Sequence, residues 1–178
     1  MTEGLPLSHN YNLGRLGNAG DAVRIVADAE QRAAIAKWSG VLSVEKLEAA
    51  VELKKLSATR FGLSFHLLAE VNQACVVTLE PVAGRIDHHF ERELHFIGQV
   101  RHKADSLVEK GAELVLDADP EEGPEEIQSL HYDLAGPVLE EYVLSLEPYP
   151  RRPGVAFNAE PEGEDPPESP FAVLKTLK

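Results

Sequence analysis

The stretch Phe61-Gly-Leu-Ser-Phe-His-Leu-Leu-Ala-Glu-Val71 decides the fold of this 178-residue chain. Apolar residues occupy every second position from Phe61 to Val71, and small or polar residues stand between them, with Leu68 as the exception. Alternation with a period of two over this length predicts a β-strand that buries one face. We therefore expect a β-sheet with one side against a hydrophobic core.

The next stretch, Asn72-Gln-Ala-Cys-Val-Val-Thr-Leu-Glu-Pro-Val82, connects that strand to a second, more polar extended run over 86–97. It contains Cys75, the single cysteine of the chain. Proline cannot donate a hydrogen bond to a strand ladder, so Pro81 and the following Gly84 predict a break in the strand pattern. Connections on a rigid sheet often carry binding residues, so this connection is the first candidate for a functional segment.

The N-terminal part of the chain predicts a strand, a helix and a further strand. Residues 22–27 alternate as a strand does. Asp28 and Gln31 then match a capping box, and Gly40 suits the residue that ends a helix. Residues 44–56 combine high helix propensity with a period of two, and the period favours a strand.

The C-terminal part predicts a second main helix. Asp133 is a suitable N-cap for a helix over 134–146, and shorter strands are predicted at 11–13 and 127–132. These elements predict an α+β fold in which an antiparallel sheet of about five to seven strands, open or barrel-like, packs against two helices in one domain over 1–156. Three prolines forbid continuation of the second helix, namely Pro148, Pro150 and Pro153.

The negative charge is confined to two segments of the chain, whose formal net charge is −13. Residues 104–126 carry nine acidic residues and one lysine, and residues 157–168 carry five acidic residues and no basic one. We expect an acidic loop in the first segment and a disordered linker in the second. The remaining charge is balanced and does not exclude contact with RNA. Basic residues at predicted hairpin ends, such as Lys54, Arg60 and Arg85, form a patch only if the turns meet, and scattered charge is the simpler interpretation.

Several classes of protein are disfavoured by what the sequence lacks. No apolar run is long enough to cross a bilayer, and the N-terminus does not resemble a signal peptide. One cysteine cannot form an internal disulfide, which fits a reducing compartment. We therefore expect a cytoplasmic protein without a membrane partner. No nucleotide-binding loop, catalytic triad or complete metal motif is present, so we expect a non-enzymatic protein without a cofactor.

Three blocks of the sequence carry a family resemblance. The first is Cys75-Val-Val-Thr-Leu-Glu-Pro-Val82. The second begins at Asp133-Leu134 and leads to Leu146-Glu-Pro-Tyr-Pro-Arg-Arg-Pro-Gly154. The third is Ser169-Pro-Phe-Ala-Val-Leu-Lys-Thr-Leu177. In this order, and over nearly the whole chain, they resemble the bacterial YceD family of large ribosomal RNA accumulation proteins.

The resemblance implies a function in ribosome biogenesis. A member of this family would support the accumulation or maturation of 23S ribosomal RNA in the large ribosomal subunit without acting as an enzyme. The partners implied are ribosomal RNA, a basic large-subunit ribosomal protein, or both.

The first block departs from the family at one position. Many members carry a second cysteine three residues after the first, and such a pair would suit zinc, whereas this chain has Thr78 there. We therefore expect no metal at this site. Cys75 is interpreted as a small buried residue that packs the connection, with a place in an interaction surface as the alternative. Glu80 has no partner for general-base chemistry and is expected to accept hydrogen bonds from the turn backbone.

The second block is a candidate binding segment. Tyr149 stands between two prolines and is followed by Arg151 and Arg152. Prolines favour an extended backbone and hold these side chains at low entropic cost. Such a segment can stack on a base and contact phosphate, or dock in a protein groove, or simply pack back on the sheet. The candidate interaction residues are Cys75, Thr78, Glu80, Pro81, Tyr149, Arg151 and Arg152.

The third block ends the chain as a short amphipathic segment over 169–178. Phe171, Leu174 and Leu177 would share one face of a helical turn or two. An apolar stripe beyond a disordered linker is typical of a helix that docks in a groove, either on a partner or on its own domain.

Four histidines are predicted on neighbouring strands. His66 would lie across from His88 or His89, with His95 further along. Two strands can present metal ligands in this way, but the sequence fixes no acidic partner in register, so we interpret these residues as solvated or hydrogen-bonded. Two alternative functions remain, a metal-assisted hydrolase that uses the strand histidines with Glu80, and a protein-binding adaptor that does not contact RNA.

Overall fold

The computed structural model describes residues 4–98 and 123–155. Within them the chain forms seven strands, two α-helices and a short 3₁₀ turn at Leu13–Arg15, which confirms the predicted α+β class. The helices are α1 (Ala29–Ser39) and α2 (Ala135–Leu144). The strands are β1 (Asn10–Asn12), β2 (Asp21–Val26), β3 (Ser43–Lys55), β4 (Arg60–Ala74), β5 (Pro81–Phe96), β6 (Glu125–Ile127) and β7 (His131–Asp133).

Five strands form the main sheet in the order β2-β3-β4-β5-β6. The first four are antiparallel to one another, and β6 pairs with β5 in parallel. Among the described strands, β2 and β6 are the two edges of the sheet and do not pair with each other, so the barrel-like option does not apply. β1 and β7 form a separate two-stranded antiparallel pair.

The hydrophobic core lies on one face of the main sheet. Every second residue of β4 from Phe61 to Val71 is buried, as the alternation predicts. Phe65 stacks on Phe90 of β5 with ring centroids 4.6 Å apart. Both helices bury side chains in the same cluster, and the hydroxyl of the fully buried Tyr142 on α2 lies 3.4 Å from the Ser39 hydroxyl at the end of α1.

The other face of the main sheet carries the polar side chains of the alternation, and none of them is buried. We call it the open face. In the part of the chain that the structure describes, both helices pack on the opposite side. Along β4 and β5 the open face presents Ser64, His66, Leu68, Glu70, Arg85, Asp87, His89, Glu91 and Glu93.

The predicted ends of α1 are confirmed by its hydrogen bonds and backbone conformation. Asp28 accepts the Gln31 backbone N–H at 2.8 Å, and the Gln31 side chain accepts the Asp28 N–H at 2.9 Å. Gly40 ends α1 in the left-handed conformation. The predicted N-cap of α2 is wrong, because Leu134 is the N-cap and the helix covers Ala135–Leu144. Asp133 ends β7, and its Oδ1 accepts the Ala135 N–H at 3.0 Å and the His9 N–H at 2.7 Å, so this carboxylate joins the N-terminal segment to the start of α2.

The predicted break in the strand pattern is confirmed over 75–80, but Pro81 and Gly84 lie in β5 and not in the connection. Pro81 is the first residue of β5 and lies opposite Ala74, and Gly84 lies inside the strand opposite Val71. Proline is tolerated at the first position of a strand, where its missing N–H costs least. A Cβ at Gly84 would lie 3.3 Å from Val71 Cγ2, so glycine here allows close packing between the strands.

The single strand predicted over 127–132 is also wrong. The segment divides between β6, which extends the main sheet, and β7, which pairs with β1. Each strand has only three residues, too few to show a period. Glu125 and Glu126, assigned to the acidic loop, lie in β6. Residues 104–122, the linker over 157–168 and the segment over 169–178 lie outside the described residues.

α1 and α2 have 11 and 10 residues, and neither helix of the described part is long and apolar enough to cross a membrane.

Leu67 and Leu68 test the assignment of the two faces, because they are adjacent leucines on opposite sides of β4. Leu67 is fully buried, so Leu67→Ala leaves a cavity and is expected to lower the free energy of unfolding by about 2–5 kcal/mol. Leu68 is half-buried on the open face, and Leu68→Ala is expected to cost about 1 kcal/mol or less. Urea denaturation of both variants measures the difference, and equal losses would contradict the assignment.

Candidate functional site

The connection from Cys75 to Glu80 is a single tight turn between β4 and β5. The Leu79 N–H donates to the Cys75 carbonyl at 2.9 Å, and the Cys75 N–H donates to the Glu80 carbonyl at 2.8 Å. Leu79 has a φ of 60°, and it is the one non-glycine residue with positive φ among those described. The left-handed conformation costs a residue with a Cβ roughly 1–2 kcal/mol. The turn is therefore closed at both ends by hydrogen bonds and strained at its last residue before Glu80.

The Cys75 sulfur is the centre of this turn. It accepts hydrogen bonds from the Thr78 hydroxyl and from the backbone N–H groups of Arg152, Thr78 and Val77, and these bonds lower the pKa of the thiol to about 6. The side chain has no solvent-accessible surface, as predicted for a packing residue. Burial raises the pKa of this thiol, but the hydrogen bonds outweigh that effect. Near neutral pH the arrangement favours a thiolate.

The proline-rich segment after α2 packs against this turn. The Val76 N–H donates to the Pro150 carbonyl at 2.9 Å, and Pro150 is buried. The Arg152 guanidinium pairs with the Glu80 carboxylate. This carboxylate also lies 3.4 Å from the Thr78 hydroxyl, so its partners are side chains and not the turn backbone that we expected. The first block and the Leu146–Gly154 part of the second, which begins 64 residues after Val82, therefore form one structural unit.

The outer side of this unit is apolar and basic. The side chains of Leu79, Tyr149 and Val76 are 76%, 70% and 47% exposed. Arg151 and Arg152 are exposed beside them. We call these five residues the motif surface. Large exposed apolar side chains that are grouped together are typical of binding surfaces.

A cleft of about 530 Å³ adjoins the motif surface. It lies between the turn-proximal parts of β4 and β5 and the segment that follows α2. Tyr149, Pro150 and Arg151 form one wall, and Val71 of β4 and Ile86 of β5 stand on the other. The volume is in the range of a small-ligand site or of one side chain of a partner.

The structure groups the predicted interaction residues but gives them different tasks. Thr78 donates a hydrogen bond to the Cys75 sulfur, Glu80 forms an ion pair with Arg152, and Pro81 begins β5. The residues free to contact a partner are Tyr149 and Arg151, together with two that sequence reasoning missed, Val76 and Leu79. Nothing in the sequence indicates that these two side chains would be exposed, since a Cys-Val-Val-Thr-Leu run is as compatible with a buried strand. The tail residues Phe171, Leu174 and Leu177 lie outside the described residues.

The basic residues at the hairpin ends do not gather into one patch. Arg60 begins β4, whereas Arg85 lies opposite Glu70, ten residues further along the same strand. At 3.3 Å per residue, they are roughly 30 Å apart. Arg85 is therefore separated from Arg60 and Lys54, and its side chain pairs with Asp87 on the open face.

The four strand histidines divide between the two faces of the sheet. His66 and His89 lie opposite each other on the open face. His88 points to the helix side, where its Nε2 lies 3.1 Å from Glu141 of α2. Glu80 precedes His89 by nine residues along the extended chain, roughly 30 Å. This distance prevents Glu80 from acting on an ion held by the strand histidines.

Comparisons of the chain with protein-family models, with curated proteins and with solved structures found no match.

The hydrogen bonds to Cys75 can be measured through its ionisation. Because the chain has one cysteine, the thiolate absorbance reports Cys75 alone, and we expect a titration midpoint near pH 6 instead of 9. Thr78→Val removes the hydroxyl that contributes most to this shift, so it should move the midpoint upward. Thr59→Val, in the exposed β3–β4 loop, is the control. An unchanged midpoint in Thr78→Val would contradict the assigned bonds.

The same bonds link stability to pH. The folded pKa of Cys75 lies below the unfolded value, so the contribution of the thiolate is complete above about pH 9 and is lost as the pH falls through about 6. The wild type should therefore gain unfolding free energy relative to Cys75→Ala as the pH rises from about 6 to about 9.

Proposed function

We propose that this protein is a non-enzymatic factor in ribosome biogenesis that supports the accumulation or maturation of 23S ribosomal RNA. On this proposal, the motif surface binds ribosomal RNA or a basic large-subunit ribosomal protein in the cytoplasm. The observation that carries the proposal is the docking of the Pro150 carbonyl on the Val76 N–H, because it joins two blocks that each resemble the YceD family into one exposed surface.

The chemistry of the motif surface supports binding to a macromolecule. Pro150 is fixed against the turn, so the neighbouring Tyr149 and Arg151 are held in place before a partner arrives. Preorganisation of this kind lowers the entropic cost of association. An exposed tyrosine can stack on an unpaired base, and an arginine can bind phosphate. The same residue types are enriched in the centres of protein interfaces.

The conformation of Leu79 also supports a binding function. An exposed leucine in the left-handed region stabilises neither the core nor the turn, and asparagine or glycine would adopt this conformation more easily. Local strain of this kind clusters at functional positions. On the proposal, Leu79 contributes apolar contact area to the complex. This gain in binding offsets the strain of its left-handed conformation.

The acidic segments suggest a second contact. Residues 104–126 and 157–168 hold the whole charge excess of the chain, and a basic ribosomal protein would complement them. In this form of the proposal, the motif surface and the acidic segments bind different parts of one partner. Deletion of 157–178 should then weaken binding of a basic protein and have no such effect on RNA.

Affinity purification from native cells tests the proposal directly. Tagged protein is recovered at moderate salt, half of the sample is treated with ribonuclease, and the bound RNA and proteins are identified. Large-subunit precursor RNA that is lost on treatment supports direct RNA contact. A basic large-subunit protein that survives treatment supports protein binding, which includes the adaptor alternative. Recovery of neither class would contradict the proposal.

Variants of the motif surface separate a specific contact from general charge effects. Tyr149→Ala combined with Arg151→Gln should reduce recovery of the partner on the order of tenfold, because a stacking residue and a cation are removed together. Lys55→Gln combined with Leu56→Ala is a matched control away from this surface, since both residues are exposed at the opposite end of the sheet. Equal losses in the two double variants would contradict a role for the motif surface.

Leu79→Asn should have opposite effects on stability and binding. Asparagine tolerates the left-handed conformation, so the free energy of unfolding is expected to rise by up to about 1 kcal/mol. Partner recovery should fall, because the apolar contact is lost. Urea denaturation and the purification above measure the two effects. A variant that is more stable and binds as well as the wild type would show that Leu79 makes no contact.

A further inference from the structure

The open face brings two histidines and an aspartate together away from the motif surface. His66 on β4 lies directly opposite His89 on β5, and Asp87 stands two residues before His89 on the same face. His66 Nε2 and Asp87 Oδ1 are 2.9 Å apart. The imidazole rings of His66 and His89 stack with their centroids 3.8 Å apart and their planes 12° apart. One ligand atom from each side chain lies within 4.8 Å of the other two.

We propose that His66, Asp87 and His89 bind a divalent transition-metal ion of the zinc type. Imidazole nitrogen and carboxylate oxygen are both zinc ligands, and three protein ligands with a fourth position open to water are a common arrangement. Copper, nickel and cobalt accept the same set, whereas magnesium and calcium prefer oxygen ligands alone. The side chains are half-buried or exposed, so an ion can reach them from solvent.

The three side chains must rotate to hold the ion. Zinc binds nitrogen and oxygen at about 2.0–2.2 Å, so two ligand atoms of a tetrahedral site lie about 3.4 Å apart. The atoms of this cluster are within 4.8 Å of one another, and His66 Nε2 and Asp87 Oδ1 are already at 2.9 Å. Because an ion lies in the plane of an imidazole that binds it, the stacked rings of His66 and His89 must also turn until a nitrogen of each faces the ion.

The surroundings of the cluster suit an ion. Both strands are paired along this region, so the backbone positions of the ligands are fixed before binding. Ala50 of β3 lies opposite His66, and its small side chain leaves space for a fourth ligand. Arg85 Nη2 lies 3.6 Å from Asp87 Oδ2 and orients the carboxylate. Arg85 also opposes the charge of the ion, and Glu70, directly across from it, offsets this repulsion.

An ion at this site would link β4 to β5 across the ladder. Because it binds the folded chain, it would raise the apparent stability by mass action. The site lies on a different surface from Tyr149 and Arg151, so it does not depend on the proposed function. Glu80, the base of the hydrolase alternative, is too distant to take part.

Calorimetric titration of the untagged full-length chain with zinc chloride, after removal of metal with a chelator, tests the site. We expect saturable binding of one zinc ion at this cluster and a rise in the melting temperature. His89→Gln and Asp87→Asn should each lower the affinity on the order of tenfold or more, since each removes a ligand. His88→Gln is the matched control, because His88 is the next residue along but lies on the other face.

The outcomes are distinct. Binding lost in His89→Gln and Asp87→Asn but kept in His88→Gln supports the site. No zinc binding by the wild type would overturn it, and so would equal affinities in all four proteins, as expected if acidic segments alone bind the ion. Circular dichroism shows whether each variant is folded. If His89→Gln or Asp87→Asn does not fold, His66→Asn removes a ligand from β4 and repeats the test. Partner recovery by these variants should be unchanged, which separates this proposal from the proposed function.

Discussion

The antiparallel ladder between β4 and β5 is the interaction on which the rest of the structure depends. It runs without a register shift from Arg60 opposite His95 to Ala74 opposite Pro81. β4 pairs with β3 on its other side, so this central strand is held along nearly its whole length. A slip by one residue would exchange the buried side chains for polar ones, so the burial of one face specifies the register strongly. This register sets both the histidine pair on the open face and the position of the turn at the end of the hairpin.

The turn at Cys75 holds its shape without a second cysteine. Thr78, three residues after Cys75, supplies a hydroxyl in place of a second thiol. The Thr78 hydroxyl and three backbone N–H groups surround the sulfur and stabilise its charge, as a cation would. The Arg152–Glu80 ion pair fastens the proline-rich segment over the turn. Hydrogen bonds and one ion pair thus do structural work that a metal could do elsewhere.

Long periodic elements could be predicted from the sequence, and details that depend on pairing could not. The alternation from Phe61 to Val71 and the capping residues Asp28 and Gln31 act locally, so β4 and α1 were predicted correctly. The tolerance of Pro81 depends on its place at the start of a strand. The histidine cluster depends on register, because only the pairing of His66 with His89 brings Asp87 within reach. The exposure of Val76 and Leu79 depends on a turn conformation that their residue types do not indicate.

The short length of β6 has a consequence for the solution behaviour of the protein. β6 covers only Leu94 to Phe96 of β5, so within residues 4–98 and 123–155 most of the outer backbone of β5 has no strand partner. A long unpaired edge is a template for strand addition and aggregation. Charged side chains of both signs line this edge, and pairing with another strand would remove some of them from water, so the cost of their desolvation opposes strand addition. They are Arg85, Asp87, Glu91, Arg92 and Glu93.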